Sequence, residues 1–91
     1  MTRDYLRRAE ALLDKLPDGA EMLSLMPGNR VQLQGEFDFR KFAESNGSRV
    51  ESHLRDGYIH MHAKLFGLYL VTVLSSEDKL YRQELDKCRK L

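Results

Sequence analysis

The chain has 91 residues, of which 42% are hydrophobic and 32% are charged. This length allows one folded domain, spanning residues 1–91, and the composition is that of a globular chain, which excludes extended disorder. Fifteen Lys and Arg residues against fourteen Asp and Glu residues leave a formal net charge of +1. So small a charge excludes a long-range field that gathers nucleic acid, which is expected to bind only through a local patch.

The sequence predicts a cytoplasmic protein that is not inserted in a membrane. Cys88 is the single cysteine, and a secreted domain of this size usually needs several cysteines to form disulfide bonds. The N-terminal segment carries Arg3, Arg7 and Arg8, and the apolar stretch that follows such charges in a signal peptide is missing. The longest nearly apolar run, residues 65–74, has about half the length that a bilayer span requires.

The first half of the chain is predicted to form two helices that flank a pair of strands. Apolar residues recur every three or four positions in the helical segments and alternate in the strand segments. Pro27, Gly28 and Asn29, between the two alternating segments, favour a tight turn. The predicted elements are a helix over 5–16, strands over 21–25 and 30–34, and a short helix over 38–45.

Residues 48–74 are predicted to form a three-stranded antiparallel meander. Asp56-Gly57 separates two alternating runs, and this dipeptide suits the type I′ turn of a β-hairpin, in which both central residues need positive φ. A second reversal, at Gly67, begins a third strand over 68–74.

A last helix is predicted to begin at Ser75 and Ser76, whose hydroxyl groups suit an N-cap. Its inward face is expected to carry apolar residues at helical spacing, namely Leu80, Tyr81, Leu85 and Cys88. The predicted fold class is therefore α+β, with element order α-β-β-α-β-β-β-α and an antiparallel sheet that has helices on one face.

The two-residue turn brings all three histidines onto one face of the predicted hairpin. Its register pairs His53 with His60 and Glu51 with His62, and opposed Cβ atoms lie about 4.5 to 5.5 Å apart. Three imidazoles and a carboxylate can hold Zn²⁺ tetrahedrally, or leave one position open for a nucleophilic water. The alternative is that these groups form the ordinary polar face of a half-exposed sheet.

The same face contains the chemical groups that a ribonuclease uses. Such an enzyme needs a proton acceptor for the 2′-hydroxyl, a proton donor for the leaving oxygen and a cation beside the phosphorane. The candidates for these catalytic roles are Glu51, His53, His60, Arg49 and Arg55. The near-neutral charge of the chain argues against this hypothesis, because RNA-binding domains are usually basic.

The third strand of the meander is apolar on both of its faces, unlike the two strands before it. Its outer side chains are expected to lie beside the histidines, where either a partner or the short helix around Phe39 and Phe42 must cover them. We favour a partner protein or a second copy of the chain. The predicted partner-binding residues are Tyr58, His60, His62, Lys64, Tyr69, Val71 and Val73.

The sequence therefore predicts a non-enzymatic interaction module that uses no cofactor. A small domain with a balanced surface is typical of a regulator or inhibitor that docks on a larger protein or nucleoprotein machine, as many phage- and plasmid-borne accessory proteins do. Its contact surface is predicted to be the meander face together with the third strand. The alternative function is a zinc-binding or hydrolytic site built on Glu51, His53, His60 and His62.

Overall fold

A computed structural model describes residues 3–89 of the chain. Its three helices and five strands follow the predicted order, which confirms the α+β fold class. No helix among residues 3–89 is long and apolar enough to cross a membrane. The elements are α1 (Arg3–Lys15), β1 (Ala20–Met26), β2 (Arg30–Gly35), α2 (Phe39–Ser45), β3 (Val50–Arg55), β4 (Tyr58–Leu65), β5 (Leu68–Leu74) and α3 (Tyr81–Arg89).

The five strands form one mixed sheet with the order β1-β2-β5-β4-β3. Three strand pairs are antiparallel as predicted, but β2 runs parallel to β5, with Arg30 beside Tyr69 and Gln32 beside Val71. Alternation along a strand shows which residues share a face, but it does not show which strands are neighbours. The parallel pair places β5 at the centre of the sheet, between the β1–β2 hairpin and the rest of the meander.

All three helices pack on the same side of the sheet, as predicted. Leu12 of α1 and Phe39 and Phe42 of α2 join the core that the sheet forms around Leu70, and α3 packs against its edge. This burial of apolar surface is the main favourable contribution to folding. Because Phe39 and Phe42 belong to this core, α2 lies on the side of β5 that is also covered by the other helices.

The last helix begins at Tyr81, so the expectation that Ser75 and Ser76 cap it is wrong. The carboxylate of Asp78 accepts hydrogen bonds from the backbone N–H and the hydroxyl of Ser75, at 2.7 and 3.1 Å. These bonds hold a local turn over residues 75–78, and the helix itself begins three residues later, at Tyr81. The predicted inward residues of the helix do pack against the core.

A buried ion pair joins α2 to α3 behind β3. Glu84 is 2% exposed, and its two oxygens accept hydrogen bonds from Arg40 Nε at 3.1 Å and from Arg40 Nη2 at 2.9 Å. Arg40 Nη2 also donates to the hydroxyl of Ser52 in β3 at 3.5 Å. The hydrogen bond to Glu84 raises the pKa of the Arg40 guanidinium. Since Ser52 lies between Glu51 and His53, the pair supports the strand that carries these two residues.

Candidate functional site

The predicted register of the β3–β4 hairpin is confirmed. His53 lies opposite His60, and Glu51 lies opposite His62. Both residues of the turn have positive φ, which for Gly57 is 83°. Backbone angles of this kind identify a type I′ turn, whose twist matches that of the strands it joins.

We call the side of the sheet opposite the helices the open face, because no helix among residues 3–89 covers it. Its residues alternate with residues on the helix side, which are buried in β2, β4 and β5. In β3 only Val50 on the helix side is buried. The open face includes every residue predicted to bind a partner. The four strands β2, β3, β4 and β5 contribute the following residues to the open face: Arg30, Gln32, Gln34, Glu51, His53, Arg55, Tyr58, His60, His62, Lys64, Tyr69, Val71 and Val73.

A row of flat side chains crosses the open face from β2 to β3. The Arg30 guanidinium lies 5.3 Å from the centre of the Tyr69 ring, and His62 stacks on Tyr69 with 5.3 Å between ring centres. His62 lies 6.2 Å from His53, which stacks in turn on His60 at 5.3 Å. Contacts of this kind between neighbouring strands stabilise a sheet. Arg30 was missed in the sequence because its place in the row depends on the parallel strand pair.

The four candidate zinc ligands share the open face but differ in their contacts. Glu51 lies 3.1 Å from His62 Nε2, whereas the rings of His53 and His60 stack within 9° of parallel. A metal ion lies close to the plane of each imidazole that binds it, so two rings stacked in nearly parallel planes are poorly arranged to bind one ion together. No group of three or more His, Cys, Asp or Glu side chains among residues 3–89 has the arrangement of a metal site.

The two arginines of the ribonuclease hypothesis lie at opposite ends of β3. Arg55 is beside the hairpin turn, with its Nε 4.0 Å from Asp56 Oδ2, and Arg49 lines a cleft beyond the other end of the strand. At about 3.3 Å per residue the two backbone positions are about 20 Å apart. A single phosphate bound near His53 could therefore be contacted by one of these arginines but not by both.

Two clefts at one end of the open face meet at Lys64 and Tyr69. The first, of about 600 Å³, lies between the β1–β2 turn and the β4–β5 turn and includes Arg30. The second, of about 520 Å³, extends towards β3 and includes Arg49 and Glu51. The two clefts thus form one continuous depression that is lined by three cationic side chains, Arg30, Arg49 and Lys64.

The central strand adds an apolar row to this face. Tyr69, Val71 and Val73 lie on the open side of β5, next to the histidines of β4, and Val73 is 40% exposed. The opposite side of β5 is buried under the helices. The two-sided apolar character of β5 therefore arises from a core on one side and an uncovered surface on the other.

Comparison of the chain with protein-family models, with curated proteins and with solved structures finds no match. Its function has to be inferred from the open face itself.

Proposed function

We propose that this protein is a non-enzymatic interaction module that docks on a larger protein through the open face of its sheet. The observation that carries the proposal is the apolar row of Tyr69, Val71 and Val73 at the centre of the sheet, in which Val73 is exposed and the other two are half-buried. A contiguous apolar surface of this kind usually marks a contact with another macromolecule. A protein that binds its partner without catalysing a reaction would act as a small regulator or inhibitor.

The remaining properties of the chain are compatible with this role. The side chains around the apolar row are polar or charged and partly exposed, which is the usual arrangement of a protein interface, with an apolar centre and a polar rim. Cys88 is a free thiol, which favours a reducing compartment such as the cytoplasm. A second copy of the chain is the competing occupant of the same surface.

Val71→Lys is expected to weaken association by about 2 kcal/mol or more, because it places a charge at the centre of a desolvated contact. The monomer should stay folded, since Val71 faces away from the core. Circular dichroism checks the fold. Light scattering checks self-association, in which case the mass would halve, and titration with a foreign partner would show weaker binding. Loss of the folded spectrum would contradict the proposal by showing that Val71 belongs to the core.

A photo-crosslinking residue placed at Val73 tests whether a protein contacts this face in cells. Leu6 provides the matched control, because it is 42% exposed on α1 while Val73 is 40% exposed. We expect a discrete adduct from position 73 that Val71→Lys abolishes, and no such adduct from position 6. Equal crosslinking from both positions would mean that exposure alone explains the contacts.

The zinc-binding or hydrolytic site remains the second candidate, favoured by the carboxylate–imidazole contact between Glu51 and His62. If the histidines coordinate Zn²⁺, the metal should raise the melting temperature near pH 7.5 and much less near pH 5.5, where imidazoles are protonated. His60→Ala should abolish the effect. Identical melting curves with Zn²⁺ and with a chelator near pH 7.5 would exclude the zinc site.

A further inference from the structure

We infer that the segment bound by the open face is acidic and carries a group of carboxylate side chains followed by apolar ones. This inference rests on the proposed function, because it specifies the chemistry of the partner that docks there. Its basis is the charge, the shape and the ring contacts of the cleft end of the face.

The cleft end of the open face holds cations that the chain itself does not neutralise. Arg30, Arg49 and Lys64 are exposed, and within residues 3–89 none of them forms an ion pair with a carboxylate. The nearby carboxylate of Glu51 is already in contact with His62 at 3.1 Å. A carboxylate from a partner would therefore meet three free positive charges, and such complementarity favours one class of partner over others.

The shape of this region suits an extended segment with side chains of two kinds. The two clefts meet at Lys64 and Tyr69, so a chain that crosses there can place groups in both. Val71 and Val73 continue from Tyr69 along β5. A segment that follows β5 would thus put acidic groups near Lys64 and apolar groups over the valines.

The ring contacts favour a protein over a single-stranded nucleic acid. Bases bind to sheets by stacking on free aromatic faces, but Tyr69 already contacts Arg30 from one neighbouring strand and His62 from the other. His53 and His60 are likewise stacked on each other. The rings therefore offer edges, whose N–H and O–H groups can donate hydrogen bonds to carboxylates.

The test uses three synthetic probes and follows the backbone amide signals of the protein by NMR. The probes are a short peptide with Glu residues at one end and Val residues at the other, the same peptide with Gln in place of Glu, and an oligouridylate of equal length. We expect the acidic peptide to shift the amides of β4 and β5 and to bind more weakly as salt is added. Lys64→Glu should weaken this binding about tenfold, a difference of about 1.4 kcal/mol.

Lys79→Glu is the matched control, because it makes the same change of charge at an exposed site in the turn that follows the other end of β5. It should alter the affinity less than about twofold, since surface charges this distant are screened. Equal loss in the two variants would overturn the inference, because net charge alone would then explain the binding.

The remaining results of the titrations also test the inference. Equal binding of the Gln peptide would overturn the acidic partner, and tighter binding of the oligouridylate would replace it with a nucleic acid. Absence of shifts with every probe would overturn it as well. In each case the crosslink from position 73 separately decides whether a protein docks on the open face at all.

Discussion

Glu84→Ala is expected to lower the free energy of unfolding by about 3 to 5 kcal/mol, because it leaves Arg40 charged and without its buried partner. The Arg40 side chain is 18% exposed, so water replaces the carboxylate only in part. Glu44, at 3.9 Å from Arg40 Nη1 and 56% exposed, is a weak substitute. Since small domains have a total stability of about 5 to 15 kcal/mol, urea denaturation should show a large shift of the midpoint.

Lys87→Ala provides the control for this prediction. Lys87 Nζ lies 3.6 Å from the same carboxylate but is 41% exposed, so its removal should cost less than about 1 kcal/mol. Replacing Arg40 and Glu84 together by leucine should recover most of the lost stability, because no buried charge is then left unpaired. Similar costs for Glu84→Ala and Lys87→Ala would show that the ion pair is not effectively buried.

The pH dependence of this pair follows from the raised pKa of Arg40. A cationic group with a raised folded pKa contributes its full stabilisation below the unfolded pKa and loses it as the pH rises through the folded value. For an arginine this window lies in strongly alkaline solution. The arginine's share of the stability should therefore stay constant across neutral pH.

Gly35→Ala is expected to cost about 3 kcal/mol or more, because backbone strain of about 1 to 3 kcal/mol is added to a steric clash. Gly35 has a φ of 116°, and a Cβ atom there would lie 1.9 Å from the carbonyl oxygen of Gly19. The clashing atom is a backbone oxygen, so a change of side-chain rotamer cannot relieve the clash. Ala20 and Gly35, which form the residue pair farthest from the turn of the β1–β2 hairpin, would have to separate.

The matched control is Gly57→Ala at the tip of the β3–β4 hairpin. Gly57 also has a positive φ, 83°, but a Cβ atom there would meet nothing within 4 Å. Only backbone strain applies, so the cost should be about 1 to 2 kcal/mol. Urea denaturation of the two variants separates clash from strain, and equal costs would refute the role assigned to the close approach at Gly35.

The register of the β3–β4 hairpin could be predicted because it depends on residues that are close in sequence. Asp56-Gly57 requires a two-residue turn, and such a turn determines every pair of the hairpin, including His53 with His60. The parallel pairing of β2 with β5 could not be predicted in this way, since it joins distant segments through backbone hydrogen bonds that no side-chain pattern specifies. The sequence therefore indicated the histidines of the open face but not Arg30.

The burial of Glu84 was missed for a different reason. Glu84 lies four residues after Leu80 and four before Cys88, so the helical spacing does mark its position as inward. A carboxylate is rarely buried without a partner, and the partner, Arg40, lies on another helix whose distance from α3 the sequence does not reveal. The sequence signal for the burial of Glu84 was thus its position as an acidic residue on the otherwise apolar inward face of the last helix.

The parallel β2–β5 pair also determines when the open face comes into existence during folding. Its partners lie far apart in the chain, whereas the pairs of the meander are close in sequence, so closing this contact costs more chain entropy and should follow the meander. Until then one edge of β5 has free N–H and C=O groups that another chain can pair with. A fragment that contains only the meander would therefore present an aggregation-prone strand edge where the chain that includes the β1–β2 hairpin presents Arg30 beside Tyr69.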